Sequence, residues 1–153
     1  YLIRSGLLGF LAMETELWTT PEVAHETGWP ELPVRTREPR SRTTDSDNSD
    51  NRHTAGALGV SGLSDNDRGL LALAVGLDVP LVSEDKKLLA SAGEAGLSYY
   101  NALMMIAFLI LRGRLAREGY ALYRGRLLEV AHYSESVVRT ADELLAQAYE
   151  KER

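Results

Sequence analysis

The chain contains no cysteine. That excludes a disulfide framework, a thiolate nucleophile and any zinc or iron–sulfur centre built on sulfur. Histidine is scarce: His25, His53 and His132 stand far apart, which leaves little from which to build a histidine metal site or a serine–histidine pair. Long apolar runs are missing too. The longest, Ala102 to Leu111, is ten residues, about half of what a bilayer core requires. No basic, apolar leader ending in small residues stands in the sequence, and a cytoplasmic chain without a membrane span is the expectation. There is also no phosphate-cradling glycine loop, since Gly56, Gly59 and Gly62 have neither the spacing nor a preceding strand. Ser61, within Gly-Val-Ser-Gly, likewise follows no strand and is not a nucleophile elbow.

What is present describes one ordinary globular domain spanning residues 1–153, 44% apolar and 25% charged, near the modal domain size. A net charge of −5 argues against indiscriminate coating of nucleic acid. The charge is uneven, however: Arg112, Arg114, Arg117, Arg124 and Arg126 share their stretch with Glu118 as the only acid. Arginine outnumbers lysine 14 to 3. A guanidinium fork suits phosphate, though a compositional bias toward arginine explains the same count.

The apolar Tyr1-Leu2-Ile3 reads as a short strand closed by Arg4-Ser5-Gly6, and Leu7 to Met13 as an apolar cover for a sheet. Glu16 to Thr19 reads as a second strand. Thr20-Pro21 is a helix start, with a hydroxyl cap and proline at the first helical position, and Gly28 and Pro30 end that helix. From Arg35 to Gly56 large apolar residues vanish, so burial cannot offset ordering entropy and a mobile polar loop is expected. Ser64-Asp65-Asn66-Asp67 opens a capped helix. Val79 to Val82 is a short buried strand, and Lys86 to Ala95 a helix closed by Gly96. Strand and helix alternating at this spacing predict a parallel sheet with right-handed crossovers. The region from about 99 to 150 is helical. Tyr100–Leu111 is apolar on every face and Leu115–Ala131 follows it. A last helix, capped by Ser134, carries Val137, Val138, Ala141, Leu144, Leu145 and Ala148 on one face.

The chemistry-bearing residues left are carboxylates at element junctions. Asp85 lies just past the end of a core strand, where open parallel sheets place their ligands. Asp67 opens the preceding helix with Asp65 beside it, and Glu26 sits near the end of the first helix. Carboxylates gathered in one cleft repel one another unless a divalent cation neutralises them, and an all-oxygen set suits Mg²⁺ or Mn²⁺. Each also has a local explanation: Asp67 as the acid of a capping box, Asp85 and Glu84 as dipole partners of a helix N-terminus, Glu26 as a solvated residue.

In sequence order, Tyr1-Leu2-Ile3 with Ser5-Gly6, Leu17 to Glu26, Leu63 to Asp67 with Leu71 to Ala74, and Pro80 to Leu88 resemble a PIN domain, a small metal-dependent ribonuclease fold. Toxin-type and archaeal ribosome-biogenesis members are among the relatives it resembles. The spacing to Glu26 and the connection Arg37-Glu38-Pro39 are similar to the archaeal ones. The resemblance covers residues 1 to about 97. It implies an α/β fold of three layers, a mostly parallel central sheet flanked by helices, with a helical C-terminal third. It also implies a metal-dependent endoribonuclease in which Glu26, Asp67 and Asp85 are catalytic and hold Mg²⁺ or Mn²⁺, with Asp65, Glu84 and Ser5 in the outer shell.

The family's first acid falls here on Arg4. A cation in place of a ligand changes the local charge by two units, and a guanidinium there could pair with Asp67 or Asp85. An engineered inactive variant, a naturally degenerate member, and a substitute acid in Glu14 or Glu16 are the competing explanations. The expected partners are RNA, held by Arg112, Arg114, Arg117, Arg124 and Arg126, and an antitoxin or ribosome-associated protein. Cations at helix ends and turns account equally well for the arginines. A catalytically inactive PIN-like module that binds RNA or protein is the alternative, and a homodimer through the terminal helices is compatible with either.

Overall fold

The computed structural model describes residues 2–27, 34–39 and 62–151. In chain order they form α1 (Leu7–Glu14), β1 (Trp18–Thr19), α2 (Pro21–Glu26), β2 (Arg35–Thr36), α3 (Asp65–Leu77) and β3 (Leu81–Val82). These are followed by α4 (Lys86–Glu94), β4 (Tyr99–Tyr100), α5 (Ala102–Leu111), α6 (Arg117–Val130) and α7 (Glu135–Lys151). The chain is thus a mixture of helices and short strands. It divides into two compact units: a middle unit, Leu17–Tyr99, and a terminal unit made of Tyr1–Glu16 and Tyr100–Arg153.

In the middle unit the helix starts follow from their capping residues. The Thr20 hydroxyl accepts from the Val23 amide at 3.4 Å, with Pro21 at the first helical position. The Ser64 hydroxyl accepts from the Asp67 amide and donates to the Asp67 carboxylate, closing a reciprocal cap on α3. The Asp85 carboxylate accepts from the amides of Lys87 and Leu88 at the start of α4. Each of these bonds occupies an amide that the first helical turn leaves without a partner. At the other ends, Asp78 and Gly96 take positive φ, at 53° and 77°, the left-handed geometry that stops a helix. Leu63, Leu71, Ala74, Leu81, Leu88, Ala92 and Ala95 make the core of this unit.

Among the described residues the strands form two pairs, β1 with β2 and β3 with β4. β1 and β2 run parallel, Trp18 beside Arg35 and Thr19 beside Thr36. The expected polar loop therefore begins with a strand. The backbone of Arg35 and Arg37 bonds to Leu17 and Thr19, and the Arg35 guanidinium lies over the Trp18 ring, a contact between residues far apart in sequence. The remainder of that loop, residues 40–56, lies outside the described residues. Tyr99–Tyr100, expected to begin a helix, is instead β4. The helix starts after it, where Asn101 accepts from the Met104 amide.

The terminal unit corrects the first expected strand. Residues 2–6 turn rather than extend. The Ser5 hydroxyl donates to the Leu2 carbonyl, which also accepts from the Leu8 amide, and the Gly6 amide bonds to Ile3. Those bonds consume the backbone groups a strand would offer a neighbour, and Gly6, at φ 76°, swings the chain into α1. Seven of the ten residues of α5 are buried, as an all-round apolar helix requires, and α5 packs on both α6 and α7. In α7, Ala141 and Leu145 are buried, but Leu144, expected on the same face, is 40% exposed because it sits at the edge of the apolar stripe. α6 runs unbroken through Gly119 and Gly125. At Gly119 a side chain would meet Leu115, which lies over the bare backbone there. No helix among the described residues is long and apolar enough to cross a membrane.

Candidate active site

Glu26, Asp67 and Asp85 each sit at a helix end of the middle unit. Glu26 closes α2 and is exposed, its Oε1 accepting from Asn66 Nδ2 at 2.5 Å. That bond ties the end of α2 to the first turn of α3, where Asp67 follows directly. Packing supports the same link: a side chain placed at Gly69 in α3 would touch Thr20, the cap of α2, at 3.6 Å. The lead into α3 in turn approaches α4, since a side chain at Gly62 would lie 3.6 Å from Lys87 Nζ. Asp85, exposed, caps that helix. The three helix ends bearing the three acids are therefore connected in series, α2 to α3 and α3 to α4.

Connection is not coordination. Asp67 Oδ2 accepts from the Ser64 hydroxyl at 2.6 Å and Asp85 Oδ1 from two amides, while Glu26 is engaged with Asn66. Among the described residues no three aspartate, glutamate or histidine side chains gather closely enough to hold one ion. The donor chemistry is that of a hard divalent cation, but the arrangement does not fit one.

The outer positions have local partners as well. Asp65 forms an ion pair with Arg68, whose other nitrogen donates to the Leu63 carbonyl at 2.7 Å. Glu84 is half-buried in the turn after β3. Ser5 is buried within its own turn, its hydroxyl accepting from the Leu7 amide. Arg4 is exposed on that turn. Of the substitute acids, Glu14 faces Arg114 at 3.8 Å.

The five arginines are not equivalent. Arg124 is committed: its Nε and Nη2 both donate to Asp142, at 3.0 and 2.9 Å, and the Tyr120 hydroxyl donates to the same carboxylate at 2.6 Å. Burial, and then this hydrogen bond to an anion, push the Tyr120 phenol well above its usual range. Burial works to raise the Asp142 carboxyl, yet the bonds from Arg124 and Tyr120 outweigh it and hold it below the usual range. Arg126 reaches the Ser5 carbonyl and Arg112 lies over its own helix's Phe108. Arg112, Arg114 and Arg117 are exposed around the turn between α5 and α6, where Gly113 takes positive φ.

Comparison with family models, with curated proteins and with solved structures finds no match. The functional reading stands on the residues alone.

Reading the sequence pointed to Glu26, Asp67 and Asp85 but missed Asn66. The signal available was an amide between two acids at a helix start, which reads as nothing more than capping. The Tyr120–Arg124–Asp142 cluster was missed because Asp142, on α7, lies 22 and 18 residues from Tyr120 and Arg124 on α6.

Proposed function

We propose that the chain is a PIN-like member of the metal-dependent endoribonuclease class, held inactive in this sequence by Arg4. The observation that carries this reading is the hydrogen bond from Asn66 to Glu26, which brings the end of α2 to the first turn of α3 beside Asp67. The approach of Gly62 to Lys87 extends the series to the helix capped by Asp85. In the active class these carboxylates, together with the acid replaced here by Arg4, hold Mg²⁺ or Mn²⁺, which supplies hydroxide and charge stabilisation for phosphodiester hydrolysis. The finer fold that goes with this reading is a three-layer arrangement around one mostly parallel sheet.

What this chain's own residues contribute is more limited. Glu26, Asp67 and Asp85 place acids at three helix ends of the middle unit, each bonded to its own local donor. Arg112, Arg114 and Arg117 offer cations to an RNA backbone, and Arg124 is withdrawn from that set by Asp142. An antitoxin or ribosome-associated partner, and a homodimer, are consistent with a domain of this class.

A second reading is favoured by a specific observation. The three acids are each engaged with local donors and do not gather around one point. On that reading the domain binds RNA or protein and does not cleave. Cleavage of single-stranded RNA in Mn²⁺ by this chain and by Arg4→Asp separates the two. Cleavage by Arg4→Asp alone establishes the first reading. Retained RNA binding with no cleavage by either chain establishes the second. At low salt, Arg112→Ala with Arg114→Ala should weaken RNA binding and flatten its salt dependence; an unchanged slope removes the arginine patch.

A further inference from the structure

We infer that the outer face of α6 pairs with the same face of a second copy of this chain, the two helices running antiparallel about Leu122. Along α6, Glu118, Leu122 and Arg126 stand four residues apart, a spacing that puts them on one stripe. All three are exposed, Leu122 by 51%, whereas Tyr120 and Leu127, on the opposite side of the helix, are buried. The bond from Arg126 Nη1 to the Ser5 carbonyl, at 3.5 Å, leaves the side chain exposed. The stripe therefore carries an acid at one end, a large apolar residue in the middle and a base at the other end.

Turned end for end about Leu122, that order matches itself. Leu122 meets its own copy, Glu118 faces Arg126 of the second copy, and Arg126 faces that copy's Glu118. A twofold interface requires this kind of self-complementarity, in which residue i contacts j and j contacts i. Shape agrees with charge. Gly119 and Gly125 stand three residues to either side of Leu122, so the same rotation sets one against the other. Leu115 lies over the bare backbone at Gly119, while among the described residues nothing lies within 4 Å of the place a side chain would take at Gly125. A projection at one glycine thus meets a hollow at the other, twice over, as knobs enter holes between packed helices. Glycine weakens a helix interior, and no contact among the described residues calls for it at 125. The close approach of a second helix does.

Sedimentation equilibrium and cross-linking of the full chain test this together. The chain should show a concentration-dependent equilibrium between monomer and dimer. Glu118→Arg and Arg126→Glu each set like charges against one another at both ends of the paired helices, so each should weaken the dimer by about tenfold. The double variant reverses both pairs and should recover the original dissociation constant, a rescue that a folding defect in either single variant would not give. Because the chain has no cysteine, Leu122→Cys introduces a single thiol. Mild oxidation should link it to its copy, and Arg139→Cys, at a position 74% exposed on α7, should not link. A monomer at every concentration overturns the inference and leaves this face to a different protein. A dimer indifferent to the charge reversals, weakening without recovery in the double variant, or equal linking of the two cysteine variants also overturns it.

Discussion

Removing the Asp142 carboxylate tests how the helical third is held together. Asp142→Ala deletes the single acceptor shared by the Tyr120 hydroxyl and two nitrogens of Arg124. Tyr120 is only 8% exposed, so its hydroxyl loses a partner where water is scarce, a cost of about 1–2 kcal/mol. The side chains of Arg124 and Asp142 are 31% and 42% exposed; solvent screens their pairing, which adds at most about 1 kcal/mol. The expected total is about 2 kcal/mol, read as a lowered urea midpoint at constant slope. Tyr120→Phe should cost less, about 1 kcal/mol, because it removes the hydroxyl together with its need for a partner. In double-mutant cycles the Tyr120–Asp142 coupling should exceed the Arg124–Asp142 coupling. The pH dependence has a definite sign. The Asp142 carboxyl lies below its ordinary value of 3.8 when folded, so its stabilisation is present above about pH 4 and is lost as pH falls through the folded value. An unshifted midpoint in Asp142→Ala, or dominance of the arginine coupling, would refute the reasoning.

Two further substitutions have defined outcomes. Asp85→Asn should leave stability nearly unchanged, since asparagine caps a helix as well as aspartate, whereas Asp85→Ala should cost about 1 kcal/mol by thermal or urea unfolding; equal losses in both would show that the charge, rather than the cap, holds α4. Gly125→Ala should stabilise α6 by about 0.5–1 kcal/mol, because nothing lies within 4 Å of the new methyl group. The same change at Gly119, where Leu115 stands 2.5 Å from that position, should give less or reverse sign; equal gains at both sites would contradict the packing described.

The elements legible in the sequence are those whose cause is local. The caps at Thr20, Ser64 and Asp85 announce α2, α3 and α4 because a side chain bonds an amide two or three residues on. The unbroken apolar run of α5 announces burial. What stayed hidden depends on partners far along the chain. Leu2 and Ile3 have the composition of a strand, but the Ser5 hydroxyl and Gly6 turn them back. Arg35–Thr36 pairs with β1, although no large apolar residue follows it, through backbone bonds to Leu17 and Thr19 and a guanidinium over the Trp18 ring. Arg124 and Arg126 read as phosphate contacts until Asp142 and the Ser5 carbonyl are seen to hold them. For the candidate site, the residue types and their order were legible. Their engagement by Asn66, Ser64 and the first amides of α4 was not, since a capping acid and a metal-binding acid have the same sequence signature.

The proposed function is that of a metal-dependent class in which Glu26, Asp67 and Asp85 match three of the acids and Arg4 stands where the class has the fourth. Calorimetric titration of Mn²⁺ into the Arg4→Asp chain, alone and combined with Asp85→Asn, tests it directly, because asparagine preserves the α4 cap and removes only the charge. The account predicts weak or no binding by this chain, binding at one site after Arg4→Asp, and its loss with Asp85→Asn at unchanged unfolding midpoint. Absence of binding in Arg4→Asp, or binding indifferent to Asp85→Asn, would contradict it.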